Sequence, residues 1–360
     1  MKKQPEPTAL TREQADALEK ELDDLHRELK ADLGQADVDH IRSVIRLSRA
    51  SEIVGRLLLH FGLDPLTFVA GTSALALSKI LENMEIGHNV MHGQYDWTLD
   101  PALDSRAYEW DLVCAGADWR EYHNYEHHTF TNVLGKDRDV GYHYLRVTPE
   151  QPWRPMHLLQ PLLATGLAFG FQWGIAMHGV KFPEKFEGQK TLTELHQRVV
   201  PFLRKAGWQL FKDYGFFPAL ALGNAPRVAI GNLLANVIRN LWTFCVIFCG
   251  HFPEGVTYYK EGEAKDESRG QWYARQINGS ANIEGGSFFH LLTGHLSHQI
   301  EHHLFPDLPA SRYPDLAPRI REICARYGQR YTTGPFGAQL GSVAKKLLRL
   351  ALPQQGLTTA

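Results

Sequence analysis

Residues 228–251 read VAIGNLLANVIRNLWTFCVIFCGH, and whether this stretch faces protein or lipid decides the fold. A helix needs roughly 20 predominantly apolar residues to cross a bilayer, and this run qualifies. Arg239 sits in its middle, which is costly in hydrocarbon unless the guanidinium reaches the interface or pairs inside a bundle. Two regions pose the same choice. Pro65–Leu81 (PLTFVAGTSALALSKIL) is short for a crossing but can continue through ENMEIGHNV. His157–Val180 (HLLQPLLATGLAFGFQWGIAMHGV) carries Trp173 and polar residues near its ends. On hydropathy alone, three buried helices of a water-soluble α-protein and three membrane spans are both open.

Composition does not decide between them. Lys and Arg number 38 against 40 Asp and Glu, a formal charge of -2, so neither nucleic acid nor a strongly anionic partner is indicated. Mean hydropathy is -0.30, and any membrane reading must rest on local segments. Cys114, Cys245, Cys249 and Cys324 form no C-x-x-C pair, which excludes a disulfide framework and a cysteine-held iron–sulfur cluster. The opening MKKQPEPTALTREQ lacks the apolar core of a secretory signal, so a reduced, cytoplasm-facing protein is expected.

Residues 11–33 read as a charged amphipathic helix, with Thr11 and Gln14 at capping-box spacing and Leu18, Leu22, Leu25 and Leu29 in one stripe. This helix is expected to lie on the body; a coiled-coil seam would need more heptads. Residues 337–351 read as a basic amphipathic helix, either on a membrane surface or solvated. The polar stretches 93–156 and 181–227 are flanked by Trp and Tyr, which favour the membrane boundary. The chain is expected to divide into an N-terminal helical segment (1–40), a main domain (41–335) and a tail (336–360).

Three histidine groups carry the chemistry: GHNVMHG with His88 and His92, WREYHNYEHHTFTN with His123, His127 and His128, and HQIEHHLFP with Gln299, His302 and His303. Residues four apart on a helix share a face, so each spacing can hold a metal ion. No thiolate is present in the boxes, which points to Zn, Cu, Fe or Ni on imidazole. A single zinc takes four ligands, or three and water; seven box histidines fit two ions. Glu85, Asp96, Glu126, Asp137, Asp139 and Glu301 are carboxylates that can orient the rings. If the boxes converge, the chain crosses an even number of times between His92 and His298, and the regions 157–180 and 228–250 supply two crossings. His251 then falls on the same face, as a further ligand or as an interfacial residue.

The order H-x-x-x-H, H-x-x-x-H-H, Q-x-x-H-H resembles the membrane fatty acid desaturase family over roughly residues 80–335. KILENMEIGHNVMHGQYDW, HHTFTNVLGKDRDVGY, VIFCGHFPEG and HQIEHHLFPDLPASRYPDLAPRI are most similar to its bacterial, actinobacterial-type acyl-CoA branch. The resemblance implies an all-α integral membrane bundle of about four spans or span-like helices, in a bacterial plasma membrane, with a cytoplasmic helical cap. It implies a non-haem diiron centre on His88, His92, His123, His127, His128, His251, His302 and His303. Gln299, His298, His295, Asp137 and Asp139 are further groups that either ligate or support a ligand. The N-terminal side needs an even number of crossings before His88. Either 65–81 is part of a hairpin dipping into the membrane, or 41–60 spans despite Arg42, Arg46, Arg49 and Arg56.

The expected reaction is O2-dependent desaturation of a long-chain fatty acyl substrate, as acyl-CoA or acyl lipid. No side chain oxidises an alkyl chain; metal centres do. A diiron hydroxylase of the same superfamily and a histidine-rich metal transporter are the alternatives. A transporter would place its ligands at mid-span, whereas these sit at span ends. The sequence has neither a haem-binding H-P-G-G nor a G-x-G-x-x-G dinucleotide motif, so an external NAD(P)H-dependent reductase or ferredoxin is the expected partner.

Overall fold

A computed structural model describes residues 6–181 and 192–353. Residues 1–5 of the N-terminal segment, 182–191 of the second polar stretch and 354–360 of the tail lie outside the described residues. The described chain is mostly helical, as expected. Its main helices are α1 (Arg12–Ala31), α2 (Gln35–Phe61), α3 (Pro65–Leu81), α4 (Gln160–Phe169), α5 (Phe171–Gly179), α6 (Leu192–Phe211), α7 (Ala225–His251), α8 (Arg269–Asn278), α9 (Gln299–Leu304), α10 (Tyr313–Arg326) and α11 (Phe336–Ala351). A short parallel pair, β1 (Asn282–Glu284) and β2 (Thr333–Pro335), aligns Asn282 with Thr333.

Among the described residues, Leu222–His251 is the one helix long and apolar enough to cross a membrane. The region 157–180 is not one helix. It breaks at Gly170, whose backbone (φ -104, ψ 26) leaves helical geometry between α4 and α5. Glycine at a helix interior costs about 1 kcal/mol, and this one marks the interruption.

The chain forms two compact units, one of 1–35, 122–166 and 245–360, the other of 36–121 and 167–244. In the first unit α1 starts at the expected capping box: Gln14 N donates to Thr11 Oγ1 at 3.2 Å, and Thr11 N to Gln14 Oε1 at 3.0 Å. Leu18, Leu22 and Leu25 are buried with Tyr273, Ile277, Ile300, Phe305 and Tyr313. The helix therefore lies on the body, each buried leucine contributing about 1.5–3 kcal/mol. The helix over 336–351 is docked too. Val343, Leu347 and Leu350 are buried, and Lys346 donates to the Pro253 carbonyl at 2.7 Å. One face of it is packed against protein, and Lys345, Leu348 and Arg349 are exposed on the other.

In the second unit α2 and α3 form a hairpin that crosses at glycines. A Cβ on Gly55 would stand 2.8 Å from Leu75 N and 2.9 Å from the Gly71 carbonyl; one on Gly71 would stand 3.1 Å from the Gly55 carbonyl. Leu59, Leu75, Ala76, Val228 and Ala235 pack beside this crossing. Around the hairpin tip Phe61, Leu63 and Leu66 are more than three-quarters exposed (76%, 85% and 76%). Arg239 pairs inside the unit. It donates to the Asp111 carbonyl (3.4 Å) and to Asn240 Oδ1 (3.1 Å), beside the buried Lys79–Asp213 pair at 3.1 Å.

Gly55→Ala should force the hairpin apart and destabilise the protein by about 1–3 kcal/mol, the usual cost of overpacking. Gly166→Ala, with nothing within 4 Å of the new methyl, should leave stability unchanged or slightly raised. Thermal melts of both variants in detergent check this.

Candidate metal centre

The second histidine box does not wind as an α-helix. Residues Arg120–His127 form a π-helix, followed by a turn of α-helix at His128–Phe130. A π-turn has about 4.4 residues, so each residue advances about 82° instead of about 100°. On an α-helix His128 would lie about 140° round from His123; π winding folds His123, His127 and His128 into a fan of about 80°. The ring centroids agree: His123–His127 5.2 Å, His123–His128 5.0 Å and His127–His128 5.5 Å. The i,i+4 reading on an α-helix would have placed the third ring off the face that the first two share.

Two other elements of the first unit bring rings to this fan. The end of α7 places His251 with its ring 4.7 Å from that of His127 and 5.0 Å from that of His303. From α9, the ring of His303 stacks on that of His128 at 4.5 Å, and that of His302 stands 4.8 Å from it. All six imidazoles are buried. One ligand atom each from His127, His251 and His303 lie within 4.8 Å of one another.

Hydrogen bonds decide which nitrogen faces inward. His127 Nδ1 lies 3.1 Å from both oxygens of Asp137, so it carries the proton and leaves the lone pair on the buried Nε2. His303 Nδ1 donates to Gln276 Oε1 at 3.0 Å. The Nε2 atoms of His127 and His303 are both buried without a hydrogen-bond partner. A buried acceptor left unmade costs about 1–3 kcal/mol, and a metal ion bound there would satisfy it. Burial, then the neighbouring His251, His127 and His302, hold the His303 pKa well below the usual imidazole value. It is therefore neutral, as ligation requires. These residues fit a metal ion.

The six proposed orienting carboxylates separate into two groups. Asp137 orients His127. Asp139 stands off at 3.7 Å from His123 Nδ1 and 3.8 Å from His127 Nδ1. Glu85 meets His40 at 2.9 Å. Asp96 takes Ser105 Oγ at 2.7 Å, Glu126 takes Arg138 at 2.6 Å, and Glu301 takes Asn282 and Tyr331 at 2.8 and 2.7 Å.

Gln299 Nε2 lies 3.1 Å from His251 Nε2. The close approach depends on Gly250, whose Cβ would stand 3.0 Å from Gln299 Oε1. His298 turns instead toward His290, their rings 4.5 Å apart. Burial, then His290 and His295, push its pKa down to about 3. His295 is buried at a left-handed backbone position (φ 56). In the second unit α3 runs on through a π-turn, Glu82–Gly87, into His88–Met91. The rings of His88 and His92 lie 4.6 Å apart, each 5.3 Å from Trp119.

Sequence reasoning missed the groups behind the rings. Gln276 on α8 holds His303 and donates to the His128 carbonyl at 3.2 Å. Asn282 on β1 accepts from Ile300 N at 2.9 Å and donates to Glu301, fixing the third box. Neither belongs to a motif, and both are far from their partners in sequence.

The buried imidazoles, with the Nε2 atoms of His127 and His303 left without hydrogen-bond partners, form groups that could hold a metal ion. Residues 64–335 match the family model "Fatty acid desaturase", and the chain belongs to the fatty acid desaturase family. It is 44% identical over 352 residues, 97% of this chain and 82% of the relative, to an NADPH-dependent stearoyl-CoA 9-desaturase of Mycobacterium tuberculosis H37Rv. It is 27% identical over 290 residues, 76% of this chain and 77% of the relative, to an sn-1 linoleoyl-lipid 6-desaturase of Synechocystis. It is also 23% identical over 257 residues, 64% and 49% of the two chains, to human fatty acid desaturase 3. The protein is thus an enzyme, an oxidoreductase that desaturates fatty acyl chains with O2.

Asp137→Asn keeps the shape but removes the charge that polarises His127. Metal affinity should fall about 10- to 100-fold, as for other lost partners of metal-bound histidines, measured by competitive chelation and metal analysis.

Proposed function

We propose that this desaturase acts on a long-chain acyl-CoA and introduces the double bond at carbon 9. The observation that carries this is the 44% identity, over 97% of the chain, with a relative named for that activity. The proposed centre holds two iron ions, on His88, His92, His123, His127, His128, His251, His302 and His303. Gln299 and Asp137 act behind the rings by hydrogen-bonding His251 and His127. Asp139 stands near His123 and His127, and His298 and His295 stay outside the ligand set. Residues 41–335 form the desaturase domain in this reading, between the 1–40 and 336–360 segments.

When bound, the ions supply the oxidising power, from O2, that removes two hydrogens from neighbouring methylenes. The chain's own part is to aim the imidazoles, His127 through Asp137 and His303 through Gln276. It also excludes water, since the rings are buried on every element that carries them. One methylene of burial is worth about 0.8 kcal/mol, too little to select a carbon by affinity, so the position of attack follows from the shape of the acyl channel.

The enzyme is proposed to sit in a bacterial plasma membrane with about four spans or span-like helices and its boxes on the cytoplasmic side. The apolar length of Leu222–His251 supports this. The exposed Phe61, Leu63 and Leu66 support a hairpin of α2 and α3 dipping into lipid, since contiguous apolar surface marks a contact site. Electrons come from an external NAD(P)H-dependent reductase or ferredoxin; the word NADPH in the relative's name agrees with this.

Expression with a reductase in a host lacking its own 9-desaturase, followed by lipid analysis, tests the reading. A new double bond at carbon 9 is expected. A hydroxylated chain with no new double bond would overturn it, and so would one iron per chain on metal analysis. His127→Ala should abolish both product and stoichiometric iron.

A further inference from the structure

Two tryptophans lead away from the first histidine box inside the second unit. Trp119, on the helical turn Gly116–Trp119, is buried with its ring 5.3 Å from that of His88 and 5.3 Å from that of His92. Trp110 is buried behind it, the two rings 5.1 Å apart. All three spacings are those of aromatic rings in contact. Trp110 is fixed on two sides. Its indole N–H donates to the Cys114 carbonyl at 2.8 Å. It also lies against Gly87, the residue before His88. A Cβ on Gly87 would stand 3.0 Å from the Trp110 Cβ and 3.4 Å from its ring, besides 2.8 Å from the Glu82 carbonyl.

The line ends at a polar cavity. Trp110 lines a space of about 440 Å³ on the second unit. Arg49 and Glu109 in its walls have side chains 61% and 51% exposed, and Arg49 lies about 18 Å along α2 from Phe61 at the hairpin tip. The walls carry both signs of charge, paired as Lys205 with Glu109 and Lys212 with Asp111. Such a mouth suits water and small water-soluble molecules. An indole gives up an electron more readily than an imidazole or a phenyl ring. In contact with two ligand rings of an oxidising centre, Trp119 is a liability that phenylalanine would not be, unless a lost electron can be replaced from behind.

We propose that Trp119 and Trp110 form a line that supplies electrons to the centre when it has reacted with O2 and no acyl chain is in place. The proposal rests on the desaturase reading above, which puts His88 and His92 in the iron ligand set. In desaturation O2 is reduced by two electrons from the external donor and by two hydrogens from the acyl chain. Without the chain, two oxidising equivalents remain beside side chains that they can destroy, and excluding that competing reaction falls to the protein. Trp119 yields an electron to the centre, Trp110 refills Trp119, and a small thiol in the cavity refills Trp110. Two passages complete the reduction: O2 + 2 e⁻ + 2 H⁺ + 2 R″SH → 2 H2O + R″S–SR″. The two free electrons come from the reductase. The other two come from two S–H bonds that break as one S–S bond forms, and their protons end in water.

The test uses the full iron-loaded chain as wild type, Trp110→Phe and Trp110→Tyr, with glutathione as the thiol. Phenylalanine and tyrosine share a shape and differ in whether they can be oxidised. Protein reduced with dithionite is mixed with O2 without acyl-CoA and freeze-quenched for electron paramagnetic resonance. Wild type should show a transient tryptophan radical that narrows when the tryptophans are ring-deuterated and decays faster with glutathione. After repeated cycles, peptide mass spectrometry reads oxidised Trp119, His88 and His92. Damage should accumulate at least about tenfold faster in Trp110→Phe, with no protection by glutathione, whereas Trp110→Tyr should stay close to wild type. Iron content, reduction by the reductase and the rate with stearoyl-CoA should be unchanged in Trp110→Phe. Absence of the radical in wild type, or a radical indifferent to glutathione, overturns the proposal without reference to any variant. Equal damage in wild type and Trp110→Phe overturns it, as does equal behaviour of the Phe and Tyr variants, which would mark a packing role. Slower reduction of Trp110→Phe by the reductase overturns it too, since the line would then be the ordinary entry path. Absence of a desaturated product from wild type with stearoyl-CoA would instead count against the desaturase reading, with the radical and the damage still deciding the line.

Discussion

A buried imidazole has two nitrogens, and something must decide which one carries the proton. In the first unit that decision is made by Asp137 on His127 and by Gln276 on His303. Each partner accepts a hydrogen bond from Nδ1–H and so leaves the lone pair on a buried Nε2 that meets no hydrogen-bond partner. Such an arrangement is unfavourable until an ion arrives. The remaining architecture serves this constraint: α7 ends where its last residue is a histidine, β1 holds the third box through Asn282, and α8 closes behind the second box. Gly250 is small because Gln299 must lie against the end of α7 to reach His251.

Much of this was legible in the sequence. The residue types and the absence of thiolates named an imidazole site. The box order named the family. The end of an apolar run at His251 placed that residue beside the boxes. The capping box at Thr11 and the leucine stripe of α1 were readable because helix starts and amphipathic faces are local patterns. Arg239 was flagged as needing a partner, and it has one.

Other parts were not legible, for physical reasons. The α-helical period assumed for the second box fails because nothing in REYHNYEH announces a wider turn. Carboxylate proximity in sequence did not predict orientation. Asp96, Glu126 and Glu301 are held by Ser105, Arg138, and Asn282 with Tyr331, and these partners come from nine, twelve, nineteen and thirty residues away. The docking of α11 was hidden because a basic amphipathic pattern looks the same in water, on lipid and against protein. The break at Gly170 was hidden because apolar residues continue on both sides of it.

The wide turn at residues 120–127 has a further meaning. A π-turn is an α-helix accommodating one residue more than its winding allows. Removing a residue of this turn ahead of His123 would restore ordinary winding and leave His128 about 140° round from His123. Chain length through the box is therefore constrained more tightly than most of the identities within it. Glu121 and Tyr125 are exposed and can drift, while the number of residues that separates the histidines cannot. For this box, the register of the wide turn brings the three rings onto one fan.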